Sequence, residues 1–165
     1  MEINIRYALE KDMEDLVKIY NQAILSRTAT GDITPFKTIE KKDWFLEHNK
    51  NNYPILTAEH NDKVVGWISI SPYRKGREAL RKTVEVSYYI ENSFQRKGIG
   101  NKLLNEIIKV SKELGYKTIF TILFDINIGS IKLLKKNGFE KWGELPGVVE
   151  VDGNIFSHVY YGRKI

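Results

Sequence analysis

The chain has 165 residues, of which 42% are hydrophobic and 12% aromatic, enough for one domain to bury a substantial core. Its 26 Lys and Arg exceed its 21 Asp and Glu, but the basic residues are scattered among acidic ones, which argues against a nucleic-acid-binding face. The absence of cysteine excludes disulfides, Cys-ligated zinc and thiol nucleophiles, and no apolar run approaches the roughly 20 residues of a membrane span, so we expect a protein of the cytoplasm.

The chain begins with a predicted strand followed by a predicted helix. Residues 2–8 alternate between apolar and polar side chains, as a half-buried strand does. Residues 12–25 repeat apolar side chains at helical spacing, so that one helical face carries Met13, Leu16, Val17, Tyr20, Ala23 and Ile24. The polar residues 27–36 then predict a loop.

A second helix and a hairpin are predicted next. Thr38 is the expected N-cap of a helix over residues 39–49, which would carry Trp44 and Phe45 to the core. Residues 53–73 contain two apolar runs joined across an Asn-Asp-Lys turn, a pattern typical of a β-hairpin.

A basic segment over residues 73–82 precedes the second half of the fold, and its composition predicts a loop or lid. After it we predict, in order, a strand over residues 83–90, a helix over 98–114, a strand over 116–123, a helix over 128–137, and strands over 139–145 and 155–165. Gly115 and Gly138 end the two helices, as glycine commonly does. Because no linker, repeat or low-complexity segment divides the chain, the pattern predicts a single mixed-sheet α/β domain over residues 1–165.

The segment QRKGIG is the clearest candidate for a binding site. It places Arg96 and Lys97 at a helix start, where cations are disfavoured unless an anion lies between them. Gly98 and Gly100 let the backbone approach such an anion closely, and the N–H groups of a helix N-terminus converge on it. The spacing is neither a Walker motif nor a dinucleotide fingerprint, because Leu103 stands where the third glycine belongs. The alternative is a surface turn with solvated cations.

Two segments together resemble the GNAT superfamily of N-acetyltransferases. QRKGIG matches its acetyl-CoA loop, Q/R-x-x-G-x-G/A, and NIGSIKLLKKNGF resembles its following N-x-x-S-x-x-L-x-x-x-x-G-F segment in the same order and spacing. Further segments, among them TVEVSYYI and FSHVYYGR, resemble the branch of phosphinothricin and methionine sulfoximine acetyltransferases, so the resemblance covers nearly the whole chain. It implies a GNAT fold with a mixed central sheet flanked by helices on both faces, a cytoplasmic homodimer, and no metal, nucleic-acid or membrane partner.

The resemblance also assigns residues to acetyl-CoA, the implied cosubstrate. Tyr88, Tyr89 and Ile90 would lie along its pantetheine arm, and Asn127 and Ser130 would border it. The pyrophosphate would be held by Gln95, Arg96, Lys97, Gly98, Ile99, Gly100 and Asn101.

Acetyl transfer to an amine requires a proton acceptor, because alkyl amines have a pKa near ~10 and are mostly charged at neutral pH. Glu85 stands just before the tyrosines of TVEVSYYI, where the resembling branch has its acidic residue, and it is the predicted base, directly or through one water. The alternative for a glutamate in a strand is a solvated face or an ion pair. A strand N–H near Tyr88 is expected to stabilise the oxyanion.

The chain departs from the resembled pattern at four positions. Leu134 stands where many GNAT enzymes carry a tyrosine that protonates the leaving thiolate. Water would have to replace it, or one of three tyrosines, namely Tyr88, Tyr89 or Tyr160. Gly31 and Leu80 replace aromatic residues expected near the substrate. His158 stands where the branch tends to have an acid, and a lone histidine in a strand is commonly structural.

The sequence thus predicts an N-acetyltransferase that uses acetyl-CoA to acetylate the α-amine of a small amino acid or analogue, of the phosphinothricin, methionine sulfoximine or methionine sulfone type. Lys75 and Arg77 fall where the branch places basic or polar residues over the acceptor, and are the expected contacts of its α-carboxylate; the alternative is a solvated loop. The alternative functions are acetylation of another small amine and a regulatory domain that binds acetyl-CoA without turnover.

Overall fold

The computed structural model describes residues 1–165 and contains seven strands and four α-helices. The strands are β1 (Asn4–Tyr7), β2 (Ile55–His60), β3 (Lys63–Pro72), β4 (Thr83–Ile90), β5 (Thr118–Phe124), β6 (Glu140–Val151) and β7 (Asn154–Lys164). The helices are α1 (Met13–Ser26), α2 (Lys42–Leu46), α3 (Ile99–Glu113) and α4 (Ile128–Lys136). None of these helices is both long and apolar enough to cross a bilayer.

All seven strands form one mixed sheet in the order β1-β2-β3-β4-β5-β7-β6. Neighbouring strands are antiparallel except β4 and β5, which run parallel and are joined by the crossover helix α3. The predicted mixed sheet is therefore confirmed. The predicted hairpin is present as well, because Asn61 and Asp62 form a two-residue turn between β2 and β3, both with the positive φ that such a turn favours.

The larger core lies between the sheet and α3. One stripe of α3 is buried, consisting of Ile99, Leu103, Leu104, Ile107, Ile108 and Val110. These side chains belong to the same core as Val84 and Val86 of β4 and Leu134 of α4. Each fully buried aliphatic side chain of this kind stabilises the fold by about 1.5–3 kcal/mol, so α3 is held firmly against the sheet.

A smaller core on the other face of the sheet is covered by α1 and α2. Leu16 and Ile19 of α1 pack with Ile55, Val64 and Trp67, and the Trp67 indole Nε1 donates a hydrogen bond to the Leu16 carbonyl at 3.0 Å. Helices therefore flank both faces of the sheet, as expected.

The second predicted helix is shorter than the sequence indicates. Lys41 is the N-cap of α2, and Lys37 is the N-cap of the 3₁₀ turn before it, where its backbone is extended and its N–H donates to the Glu40 carboxylate at 2.6 Å. A 3₁₀ turn that begins at Thr38 precedes the single turn of α2, so the predicted cap was wrong. Trp44 and Phe45 are half-buried at the edge of the smaller core.

The sixth strand is longer than predicted and continues past residue 145 to Val151. β6 lies at the edge of the sheet, where Pro146, which has no N–H, is tolerated. Its pairing with β7 is irregular between Leu145 and Val149, on either side of that proline. The predicted strand ends at residue 145, just before Pro146, whereas the chain continues the strand past the proline with an irregular pairing.

Candidate active site

The two parallel strands separate partway along their length. β4 pairs with β5 only over Thr83–Glu85, although β4 remains paired with β3 as far as Ile90 and β5 remains paired with β7 as far as Phe124. A cleft with a volume of about 570 Å³ opens beyond that point. The strand residues that line it are Ser87, Tyr88, Tyr89, Ile90, Thr121, Ile122 and Leu123.

The glycine-containing turn closes one end of this cleft. Arg96 and Gly98 both have positive φ, and α3 begins directly afterwards, so the first N–H groups of the helix face a concave backbone. A side chain placed on Gly98 would meet nothing within 4 Å, whereas one on Gly100 would lie 3.0 Å from Leu133 Cδ2. Gly98 thus leaves the cradle open, and Gly100 lets α3 pack closely against α4.

Most of the predicted cofactor residues are brought together here. The predicted residues that line the cleft are Tyr88, Tyr89, Ile90, Gln95, Arg96, Gly98, Ile99, Gly100, Asn101, Asn127 and Ser130. Lys97 does not line it, because its Nζ lies 4.8 Å from the centroid of the Phe94 ring. Lys136 of α4, which sequence reasoning missed, lines the cleft as a second cation in addition to Arg96, and no acidic side chain lines the cleft.

The N-terminus of α4 forms the opposite wall. Asn127 is its N-cap, and its side-chain oxygen accepts a hydrogen bond from the Ser130 N–H at 3.2 Å. The predicted pair therefore also has a structural part, because this cap satisfies one of the free N–H groups of the helix.

A smaller pocket of about 110 Å³ lies on the α1 side of the sheet. It is lined by Leu16, Val17, Tyr20, Lys41, Trp44, Trp67, Ser69, Ser71, Ser87 and Tyr89. Ser87 and Tyr89 also line the cleft, so the two cavities meet at these residues. The pocket is thus placed to hold a second, small molecule beside whatever occupies the cleft.

The walls of this pocket consist largely of aromatic rings, together with one cation. The Tyr20 and Tyr89 rings are in edge contact with centroids 4.8 Å apart, and the Trp44 and Trp67 centroids are 5.5 Å apart. Lys41 Nζ lies 3.7 Å from the centroid of the Phe36 ring and has no carboxylate partner. The sequence had assigned Tyr20 and Trp44 to helical core faces and gave no signal for Lys41.

Glu85 is the last residue of β4 before the split. Side chains alternate along a strand, so Glu85 shares a face with Ser87 and Tyr89, and it lies opposite Ser71 of β3. Its carboxylate is mostly buried without a hydrogen bond or ion pair, and this burial raises its pKa. A carboxylate that binds a proton more readily than usual is suited to accept one from an amine.

Lys75 and Arg77 lie on the basic loop between β3 and β4. They line an outer cavity of about 590 Å³ that shares Trp44 and Ser71 with the small pocket. Both side chains are exposed, and Lys75 forms a 3.5 Å ion pair with Glu47. The structure therefore places the two cations at the mouth of the pocket.

The structure does not bring His158 to either cavity. His158 packs beside Phe124 and Tyr160 on the sheet, with ring centroids 6.0 Å away in each case, and burial lowers its pKa. Leu80 borders the outer cavity, and Gly31 lies in the polar loop after α1. No group of three His, Asp or Glu side chains is placed to hold a metal ion.

The strand split and the anion cradle at the start of α3 together define the class of protein, an acyltransferase that takes its acyl group from a coenzyme A thioester. The sequence agrees with the family model of the acetyltransferase (GNAT) domain over residues 5–160. The chain belongs to the GNAT acetyltransferase family.

Three individual proteins illustrate what the chain is similar to. The chain is 35% identical over 99% of its length, and 99% of the relative's, to YwnH of Bacillus subtilis, whose proposed activity is that of a phosphinothricin acetyltransferase. It is 32% identical to the L-methionine sulfoximine/L-methionine sulfone acetyltransferase of Pseudomonas aeruginosa, over 90% of this chain and 86% of that one. The phosphinothricin acetyltransferase of Sinorhizobium meliloti, solved with acetyl-CoA, superimposes with a TM-score of 0.94 at 28% identity, covering 100% of this chain and 89% of the other.

Proposed function

We propose that this protein acetylates the α-amine of a small amino acid or amino-acid analogue, such as phosphinothricin, methionine sulfoximine or methionine sulfone, using acetyl-CoA. The observation that carries the proposal is the meeting of the two cavities at Ser87 and Tyr89. One is a long cleft with a cationic, glycine-bounded end, and the other is a small aromatic pocket. A donor and an acceptor in these cavities would have their reacting atoms side by side.

The cleft fits acetyl-CoA by chemistry as well as by shape. The cleft suits a pyrophosphate, because the backbone is open at Gly98, α3 presents its N-terminus, and Arg96 and Lys136 supply positive charge. The side of β4 that faces the split, from Ser87 to Ile90, has no strand partner there, so its backbone groups are available to the amides of a pantetheine arm. Asn127 and Ser130 border the same arm.

Glu85 is the proposed proton acceptor. Acetyl-CoA supplies an activated acetyl thioester: the amine lone pair forms the new C–N bond, the C–S bond breaks, and the thiolate leaves. The proton that the amine loses passes to Glu85, directly or through one water, since Glu85 is two residues from Ser87 on the same strand face, or about 7 Å along the strand. A backbone N–H near Tyr88 would stabilise the oxyanion.

Two groups of cations would orient the acceptor. Arg77 and Lys75 at the mouth would hold its α-carboxylate, with Arg77 in a bidentate contact. Lys41 inside the pocket, together with Ser69 and Ser71, would face the polar end of the acceptor side chain, such as a sulfone or phosphinate oxygen. The aromatic walls would contact its methylene groups.

The proposal is tested by thiol release from acetyl-CoA with matched acceptors. Methionine sulfone should exceed its decarboxylated counterpart, 3-(methylsulfonyl)propylamine, by roughly 10–150-fold in kcat/KM, since only the amino acid offers a carboxylate to Arg77. Arg77→Ala should remove this difference, and Lys82→Ala, a nearby loss of positive charge outside the cavities, should preserve it. Equal activity on acid and amine would favour a general amine acetyltransferase, and acetyl-CoA binding without turnover of any acceptor would favour a regulatory domain.

We also infer that residues 1–165 act as one domain, assembled as a homodimer in the cytoplasm, where acetyl-CoA is available. The support for a dimer is the exposed apolar surface of the sheet-edge hairpin, formed by Trp142, Leu145, Val148 and Ile155. Exposed apolar side chains grouped on one sheet-edge hairpin mark a candidate protein contact. A second copy of the chain carries the same surface and would bury it by two-fold symmetry.

A further inference from the structure

The hydroxyl of Tyr88 is buried and has no hydrogen-bond partner. Only one other buried side-chain polar atom shares this property, the Ser111 hydroxyl, which lies within α3 and lines neither cavity. A buried hydroxyl without a partner costs free energy, and such groups are rare enough to require an explanation. Tyr88 lines the acyl-donor cleft, so a molecule bound there can supply the missing partner.

The position of this hydroxyl is set by strand alternation. Tyr88 points to the face opposite Glu85, where its ring packs against the larger core. Its hydroxyl lies near the Ser130 side chain at the start of α4 but forms no hydrogen bond with it. Four residues further along α4 is Leu134, which is fully buried and cannot donate a hydrogen bond. Tyr88 therefore brings a hydroxyl from the strand to the start of a helix that has no hydrogen-bond donor in its side chain at position 134.

The other two candidate tyrosines are placed differently. Tyr89 faces the α1 side, where its ring contacts Tyr20, and burial raises its pKa to about 12. Tyr160 lies on β7 opposite Ile122 and lines neither cavity. Of the three tyrosines, only Tyr88 has a buried hydroxyl without a hydrogen-bond partner.

We propose that the Tyr88 hydroxyl donates a hydrogen bond to the sulfur of the acyl donor and stabilises the thiolate released when the C–S bond breaks. This inference rests on the proposed function, because it assumes that the cleft holds a coenzyme A thioester. Tyr88, on strand β4, would thus donate the hydrogen bond to the leaving sulfur that Leu134 cannot donate.

The contact is a hydrogen bond and not a proton transfer. Burial raises the pKa of Tyr88 to about 12, whereas an ordinary thiol has a pKa of about 8.5, so the proton remains on the tyrosine. A hydrogen bond to a charged acceptor is stronger than one to a neutral acceptor, so the bond strengthens as the sulfur gains negative charge. The thiolate then takes its proton from water.

The test compares coenzyme A with desulfo-coenzyme A, which lacks only the sulfur. Calorimetry at pH 9, where the thiol is largely ionised, should show that Tyr88→Phe weakens coenzyme A binding by roughly 10-fold or more and leaves desulfo-coenzyme A binding unchanged. The thiol of bound coenzyme A, followed by thiolate absorbance, should also have a higher pKa in Tyr88→Phe than in the wild type.

Two controls keep the result interpretable. Tyr7→Phe removes an exposed hydroxyl that makes no side-chain hydrogen bond and should change neither affinity. Tyr88→Phe removes an unpaired hydroxyl, so its Tm should be unchanged or higher. Equal effects on both ligands would overturn the sulfur contact while leaving the proposed function intact. Failure of the wild type to bind either ligand would overturn the proposed function and this inference together.

Discussion

Among single residues, Glu85 has the environment that most directly suggests chemistry. Its carboxylate is largely buried at the end of the paired part of β4 and makes no hydrogen bond or ion pair. Burial disfavours the charged form and raises the pKa, so the folded protein binds a proton here more readily than the unfolded chain does. Such a group lowers stability once it is ionised, which is a cost expected of a functional site.

Glu85→Gln should therefore lower the activity but raise the stability of the folded protein at alkaline pH. Activity at neutral pH should fall by ~10²–10⁴-fold, with a smaller loss at high pH where the amine deprotonates unaided. The stability that Glu85 gains by protonation is present below its unfolded pKa and is lost as the pH rises through its raised folded pKa, so the variant should have a higher Tm than the wild type at pH 8 and a similar Tm at pH 4. Rate profiles and thermal unfolding across pH measure both effects. A uniform rate loss at every pH would indicate that Glu85 positions the substrate instead.

Among the elements, the turn into α3 explains why Arg96 and Lys97 precede a helix. Arg96 lies in the cleft beside the open backbone, where an anion would offset its unfavourable position at the positive end of the helix dipole. Lys97 is instead held over the Phe94 ring. Only one of the two neighbouring cations therefore belongs to the cradle.

Gly98→Val tests this element. Gly98 and Gly153 both have positive φ and open space at the Cβ position, so valine should strain the backbone and lower the Tm at both sites. Only the Gly98 side chain would point into the cradle, so Gly98→Val should abolish acetyl-CoA binding by calorimetry, and Gly153→Val should retain it. Equal affinities in the two variants would remove the turn from the cofactor site.

For the whole molecule, the exposed apolar hairpin of β6 and β7 leads to a prediction about assembly. Sedimentation equilibrium should give twice the mass of one chain, and replacing Leu145 and Val148 together with Asp should give a monomer, because a dimer would bury these charges without partners. Replacing the exposed Leu25 and Ile39, which lie outside the hairpin, with Asp should leave the mass unchanged. A wild-type monomer at high concentration would refute the dimer.

The sequence by itself determined the features that depend on neighbouring residues. Side-chain periodicity predicted the alternating strands and the buried stripe of α3, Asn61 and Asp62 marked the hairpin turn, and the glycines at 98 and 100 marked the anion cradle. These signals are local, because backbone conformation and amphipathic spacing are set within a few residues. The motifs also indicated the family, and with it the predicted role of Glu85.

The tertiary structure alone decided what converges from distant parts of the chain. It separated β4 from β5 beyond Glu85, formed one pocket from Tyr20, Lys41 and Trp44, and left the Tyr88 hydroxyl without a partner in the cleft. It also placed Lys75 and Arg77 at the pocket mouth. Side-chain periodicity cannot predict these features, because strand separation and burial depend on packing between residues far apart in sequence. A local apolar pattern predicts a buried face, but the pattern is the same whether that face packs against another helix or lines a cavity.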